Sequence, residues 1–217
     1  VYKRQDLLNL NSETKIIRNK IENVNAFTPS YSSNDRTRTY LKVQDGCDYT
    51  CSFCTIPLAR GRSRSDTISN TIKIANQAIR SGAREIVLTG VNIGDYGKNN
   101  KESFIELIKR LDTLAVERIR ISSIEPNLLT KEIIDFCAES KKFMPHFHIP
   151  LQSGSNKILK LMRRRYTSSQ YAESISLIRQ LIPDASIGVD VIVGFPGESN
   201  EDFMAVSYTH LTLPTRS

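Results

Sequence analysis

The chain has 217 residues, with 30 Lys and Arg against 23 Asp and Glu, a formal net charge of +7, 39% hydrophobic and 24% charged residues. That is the composition of a soluble globular protein of one domain, or one domain plus a fragment, long enough to bury a sizeable core. The longest apolar run, Val189 to Phe195, is broken by Asp190 and Gly194, which falls far short of the ~20 apolar residues of a membrane helix. The first thirty residues are polar and charged, so no signal peptide is expected. The positive charge suits either an ordinary basic protein or a polyanionic partner such as RNA, and by itself does not separate them.

In chain order, a polar helix is predicted over Leu8 to Val24, followed by a linker of turn formers from Phe27 to Asp35. Tyr40 to Gln44 reads as a short strand. Ser69 to Ser81 reads as a helix, with Ile68, Ile72, Ala75 and Ile79 at helical spacing, Asp66 as its cap and Gly82 at its end. Strand Glu85–Thr89 precedes helix Ser103–Leu114. Strand Arg118–Ser123 precedes helix Thr130–Glu139. Strand His146–Leu151 is followed by helices Ser155–Met162 and Ser168–Leu181. Strand Ser186–Val193 is apolar enough to be buried on both faces, and a further helix begins at Asn200.

Five strands alternating with helices specify an α/β fold with a parallel sheet, open or curved into a barrel, and right-handed crossovers. In barrels the ligand site lies at the C-terminal ends of the strands. The unusual loops (45–64, 90–97, 124–127, 152–155 and 194–198) all fall on that rim, which points to a single site.

Four cysteines are present, three of them within eight residues: Cys47, Cys51 and Cys54. A secreted disulfide scaffold would spread an even number along a short chain, so this pattern indicates a reducing compartment and a metal or cluster site. Thiolates suit iron–sulfur clusters or zinc. Structural zinc wants four ligands, usually with a second pair downstream, and only one triplet is present. Cys137 sits mid-helix between Phe136 and Ala138 as a small core residue, and His146, His148 and Met162 read as packing. A zinc-stabilised, non-catalytic RNA-binding module is the alternative from another class.

C-x3-C-x2-C in the loop after the first strand resembles the radical S-adenosylmethionine (SAM) superfamily. More of the chain resembles its methylthiotransferase branch. The stretches that carry this are Gln44-Asp-Gly-Cys47, Pro57-Leu-Ala-Arg-Gly-Arg-Ser-Arg64, Leu88-Thr-Gly-Val-Asn92, Ser122-Ser-Ile-Glu-Pro126, His148-Ile-Pro-Leu-Gln-Ser-Gly-Ser155 and Gly194-Phe-Pro-Gly-Glu198. Met162-Arg-Arg-Arg-Tyr-Thr167 is most similar to the subgroup acting on N6-threonylcarbamoyladenosine beside the tRNA anticodon. Subgroups acting on isopentenyladenosine tRNA or a ribosomal protein are the alternatives.

The resemblance implies a partial (β/α)6 barrel, incomplete at its C-terminal end. It implies one 4Fe-4S cluster on Cys47, Cys51 and Cys54, with an open iron that chelates SAM. In this family one SAM supplies a methyl group to a sulfur, and a second is cleaved to the radical that activates C2 of the adenine. Cofactor contacts are expected at Phe53 (adenine side), Gly90 (the methionine amino group), Asn92, Ser123, Glu125, Gln152, Ser153, Gly194 and Gly197. Gly90 and the last two glycines read equally as turn residues. Arg60, Arg62, Arg64, Arg163, Arg164 and Arg165 are RNA or substrate candidates, or plain basic surface. A flavodoxin or ferredoxin as electron donor, a monomer and a cytoplasmic location complete the expectation.

The family's N-terminal domain holds a second cluster on three further cysteines, and the chain has none before Cys47. Residues 1–36 are expected to be a remnant of that domain plus linker, residues 37–205 the radical SAM core, and residues 206–217, like 1–5, non-native sequence. Incomplete turnover by this piece alone is the corresponding expectation.

Overall fold

The computed structural model describes residues 21, 24, 27–32 and 38–211. The helix expected over Leu8–Val24 lies outside the described residues, apart from Ile21 and Val24. The elements run β1 (Ser30–Tyr31), β2 (Arg38–Lys42), β3 (Gln44–Asp45), α1 (Ile56–Arg60), β4 (Arg64–Ser65), α2 (Ile68–Arg80), β5 (Glu85–Thr89), α3 (Phe104–Asp112) and β6 (Arg118–Ile121). They continue with α4 (Lys131–Glu139), β7 (His146–His148), α5 (Asn156–Leu161), α6 (Ser168–Leu181), β8 (Ser186–Gly188) and α7 (Asn200–Leu211).

The strands β2, β5 and β6 pair in parallel, with Arg38 opposite Glu85 and Glu85 opposite Arg118. β7 and β8 form a second parallel pair, His148 opposite Gly188. Between β6 and β7 the regular ladder breaks. A single bridge from Ile119 to Phe143 spans it, together with an Ile124 N–H that donates to the His148 carbonyl at 3.0 Å. The five parallel strands therefore follow one another in chain order, as expected, but as a three-strand and a two-strand section.

Alternation with period 2 decides which face each side chain meets. Leu41, Ile119, Ile121 and Phe147 are buried while their neighbours Tyr40, Arg118, Arg120 and His146 are more exposed. The buried set joins Leu107, Ile108 and Leu111 of α3, Ile133, Ile134 and Cys137 of α4, and Tyr171, Ile175 and Ile178 of α6 in one core. Cys137 is a core residue, as read from the sequence, and burial pushes its thiol up to about 12.

Several boundaries differ from the sequence reading, each for a tertiary reason. The expected linker contains β1, which pairs antiparallel with β2 because the outer edge of β2 offers unpaired backbone groups. The first strand stops at Lys42; Gln44 and Asp45 turn away to pair with Arg64 and Ser65. The last strand is shorter than Ser186–Val193 and is not buried on both faces. Ile187 and Val189 are only half-buried and Val193 is 63% exposed, since β8 pairs with β7 alone among the described residues. Helix α7 starts at Asn200, where the sequence places a helix start, and runs to Leu211.

Helix α2 is capped by Thr67, not by the expected Asp66. The Thr67 hydroxyl accepts from the Asn70 N–H at 3.3 Å, and Asp66 instead accepts from the Thr67 N–H at 2.7 Å. A hydroxyl satisfies one of the helix's orphan N–H groups, which is worth about 1 kcal/mol. Thr67→Ala should therefore lower the melting temperature by roughly 2–4 °C for a chain of this size, measured by thermal unfolding. An unchanged melting temperature would show that Asp66 takes over the cap.

Candidate cofactor site

The site begins where β2 ends. Asp45 is buried and gathers Lys42 at 2.7 Å, Arg64 at 3.1 Å and Arg60 at 3.5 Å. Burial alone would raise its carboxyl, but Lys42, the Gly46 N–H and Arg64 outweigh that and hold it below the ordinary carboxylate range. Arg64 is itself buried and also donates to the carbonyls of Arg60 and Arg62. It is thus a brace of the loop and not the solvated or phosphate-facing arginine the sequence suggested, whereas Arg60 and Arg62 remain exposed.

Gly46 then takes φ +71°, and a Cβ there would lie 1.9 Å from the Arg62 carbonyl oxygen. Only glycine permits that approach. It brings Cys47 N–H to the Gly61 carbonyl at 3.0 Å and closes the loop. Cys51 is buried, and Cys47 and Cys54 are half-buried. The Tyr49 N–H donates to Cys47 Sγ at 3.4 Å, and Arg164 Nη1 donates to Cys51 Sγ at 3.2 Å. Burial raises the Cys47 thiol.

Arg164 is the residue whose place the sequence did not reveal. The sequence groups it with Arg163 and Arg165, which are exposed, but its own side chain is only 4% exposed. It pairs with Glu125 and donates through Nε to the Tyr166 hydroxyl at 3.2 Å. That hydroxyl in turn donates to the Pro150 and Leu151 carbonyls, 3.0 and 2.8 Å away. The guanidinium also lies 6.0 Å from the ring centre of Phe53, within cation–π range. One side chain thus joins the cysteine loop, the end of β6 and the strand-end segment after β7. Arg165 stacks on Tyr49 at 3.9 Å, and the Tyr49 hydroxyl accepts from Asn127 at 2.8 Å.

Loop 90–97 completes the rim. Gly90 is exposed and Asn92 is buried. Asn92 donates to Asp95 at 3.1 Å, while its own side-chain oxygen is buried without a partner. Gly194 and Gly197, with φ +73° and +88°, turn the chain after β8, where Glu198 accepts from the Gly194 and Phe195 N–H groups. The other Glu198 oxygen is likewise buried and unpartnered. Gln152 holds φ +62° and bridges to Val191. Ser153 is fully buried and accepts from the Ser155 N–H at 3.2 Å. Ser123 is half-buried, two residues before Glu125.

Among the described residues no three His, Cys, Asp or Glu side chains converge on one point as a single metal ion demands. A cluster asks for something else, because each thiolate then binds a different iron and the sulfurs stand further apart. The donor set fits: three thiols in one loop, N–H donors on two of the sulfurs, and an unsatisfied acceptor on the neighbouring loop. An ammonium or hydroxyl donor would satisfy such an acceptor, and leaving it unmet costs about 1–3 kcal/mol.

Residues 41–207 match the family model of the radical SAM superfamily. The chain belongs to this superfamily. It is 48% identical, over 173 residues, to the threonylcarbamoyladenosine tRNA methylthiotransferase MtaB of Bacillus subtilis, covering 78% of this chain and 38% of that protein. It is 39% identical to a tRNA-2-methylthio-N(6)-dimethylallyladenosine synthase of Alkaliphilus oremlandii, covering 76% and 36%. The chain thus spans less than half the length of these relatives. Among solved structures it resembles the radical SAM methyltransferase TsrM of Kitasatospora setae, with TM-score 0.65, 16% identity, and 79% and 34% of the two chains covered. That likeness supports the partial-barrel radical SAM fold inferred from the cysteine motif. No helix of the described residues is long and apolar enough to cross a membrane.

Proposed function

We propose that this chain is the radical SAM core of a tRNA methylthiotransferase acting at C2 of N6-threonylcarbamoyladenosine beside the anticodon. The observation that carries the reading is the three-thiol loop at the end of β2, set against a rim with an unpartnered Asn92 oxygen. The similarity to the Bacillus relative supports the substrate class. A dimethylallyladenosine tRNA is the second reading, favoured by relatives of that name at 39–44% identity.

Cys47, Cys51 and Cys54 would hold one 4Fe-4S cluster, which supplies the electron for reductive cleavage of SAM. The chain's own residues do the placing. Arg164 fixes Cys51 against Glu125, and Phe53 offers a ring beside that guanidinium. Gly90, Asn92, Ser123, Glu125, Gln152, Ser153, Gly194 and Gly197 are the proposed cofactor contacts. The exposed Arg60, Arg62, Arg163 and Arg165 are the proposed phosphate contacts. A flavodoxin- or ferredoxin-type donor, a monomeric state and a cytoplasmic location belong to the same proposal, with residues 37–205 as the core domain.

The test is anaerobic reconstitution followed by dithionite and SAM. About four irons per chain, as a 4Fe-4S cluster requires, together with release of 5′-deoxyadenosine, is the expected result. Replacing Cys47, Cys51 and Cys54 by Ala should take both to background. Zinc on these thiols, with no iron uptake, would overturn the reading. Mass spectrometry of anticodon stem–loops carrying each adenosine then separates the two substrates.

A further inference from the structure

Gln44 is the only side chain that joins the cysteine loop to loop 90–92 by hydrogen bonds on both, among the described bonds. Its side chain is fully buried. Its Oε1 accepts from the Val91 N–H at 3.0 Å and the Asn92 N–H at 2.7 Å. Its Nε2 donates to the carbonyls of Asp45 at 3.0 Å and Gly46 at 2.7 Å, and to Ser63 Oγ at 2.9 Å. One amide, its two N–H protons shared among three acceptors, therefore serves five partners on three segments, and the strand pairing that joins 44–45 to 64–65 ties neither to residues 90–92.

The fit is tight on the loop's inner side. A Cβ on Gly90 would lie 3.0 Å from Gln44 Oε1, 3.0 Å from the Gln44 carbonyl and 2.8 Å from an Ile93 methyl. Gly90 thus rests directly on Gln44 while remaining exposed. Asn would be one methylene too short to reach both loops, and an apolar residue would leave the buried Asn92 N–H, and the part-buried Val91 N–H, unpaired. A residue needed only to fill space would not require an acceptor on one side and a donor on the other.

We propose that Gln44 is a positioning residue for SAM. It holds the Gly90–Asn92 backbone and the Asn92 side chain at a fixed height over the cysteine loop, and so sets affinity for the cofactor without binding it. The proposal rests on the reading of this rim as the SAM site. Its acceptor oxygen is the working part, because that atom holds loop 90–92. The donor nitrogen holds the cysteine loop.

The two halves of the amide can be separated. Gln44→Ala removes both, whereas Gln44→Glu, which must carry a proton where its second oxygen faces the Asp45 and Gly46 carbonyls, keeps an acceptor for Val91 and Asn92 and one donor for the cysteine loop. Each variant and the wild type are reconstituted, iron is quantified, and SAM dissociation is measured by anaerobic equilibrium dialysis without reductant. The expected result is wild-type iron content in Gln44→Ala with SAM binding weakened tenfold or more, and binding within threefold of wild type in Gln44→Glu. Gln44→Ala binding SAM as wild type does, or losing its iron first, would overturn the proposal. Should Gln44→Ala fail to fold, Gln44→Glu decides, and a tenfold weakening there would overturn it. Failure of the wild type to take up iron or SAM sinks the underlying reading instead, and is seen before any variant is compared.

Discussion

Gly46→Ala is expected to cost more than about 4 kcal/mol of stability and to leave the reconstituted protein without iron. The added Cβ would stand 1.9 Å from the Arg62 carbonyl oxygen, 2.6 Å from its carbon and 2.7 Å from the Gly61 oxygen. All three are backbone atoms, so no rotamer change relieves the overlap, and φ +71° disfavours a side chain in any case. The segment that must retreat carries the Gly61 carbonyl that accepts from Cys47 N–H. The loop cannot open there and still hold Cys47 beside Cys51. Denaturant unfolding and iron content would check this together. A variant with wild-type midpoint and iron would show that the loop closes some other way.

The second large effect is expected far from the cysteines, at the N-terminal ends of the strands. Glu85 is 3% exposed and meets Arg120 at 3.0 Å, Arg38 at 3.3 Å and Arg118 at 3.3 Å. The register places these residues together, since Arg38 and Arg118 stand opposite Glu85 on the two flanking strands. Glu85→Gln keeps the shape, deletes the charge and leaves three guanidinium groups facing one another. Removing one member of a buried ion pair costs about 3–5 kcal/mol, and the partial exposure of the arginines reduces that to roughly 2–3 kcal/mol here.

The same residue sets a pH dependence. Burial pushes the Glu85 carboxyl up, but Arg120, Arg38 and Arg118 outweigh it and hold it below the ordinary range. A carboxyl held low in the folded state stabilises the fold above its unfolded value of about 4.3. That contribution is lost as pH falls through the folded value. The wild type should therefore exceed Glu85→Gln in stability at pH 7, and the two should converge below about pH 4. A constant difference across that range would show that shape, not charge, is what Glu85 contributes.

The local signals in the sequence were sufficient where an element is specified by its own residues. Glu85–Thr89 and Ser168–Leu181 were read to the residue, the second because Thr167 and Gln170 form a reciprocal capping box. The cysteine triplet pointed to the superfamily, because the spacing of three thiols is a local property. Where the outcome depended on a partner far along the chain, the sequence was silent or misleading. Arg163, Arg164 and Arg165 are chemically identical and adjacent. Only the position of Glu125 and Cys51, contributed by other loops, makes Arg164 a buried brace and leaves its neighbours in solvent. Arg64 was read as part of a basic run, and burial against Asp45 made it structural. Gln44 had no sequence signal beyond its place before Asp-Gly-Cys; its role appears only when loop 90–92, nearly fifty residues later, folds onto its amide.

The sequence by itself determined the alternation of strands and helices, the rim on which the unusual loops gather and the superfamily, since periodicity, capping and thiol spacing act over a few residues. The tertiary structure alone decided which polar side chains are buried and which loops are tied together. Those follow from burial and long-range pairing, in which each residue's environment is supplied by others far away in the chain.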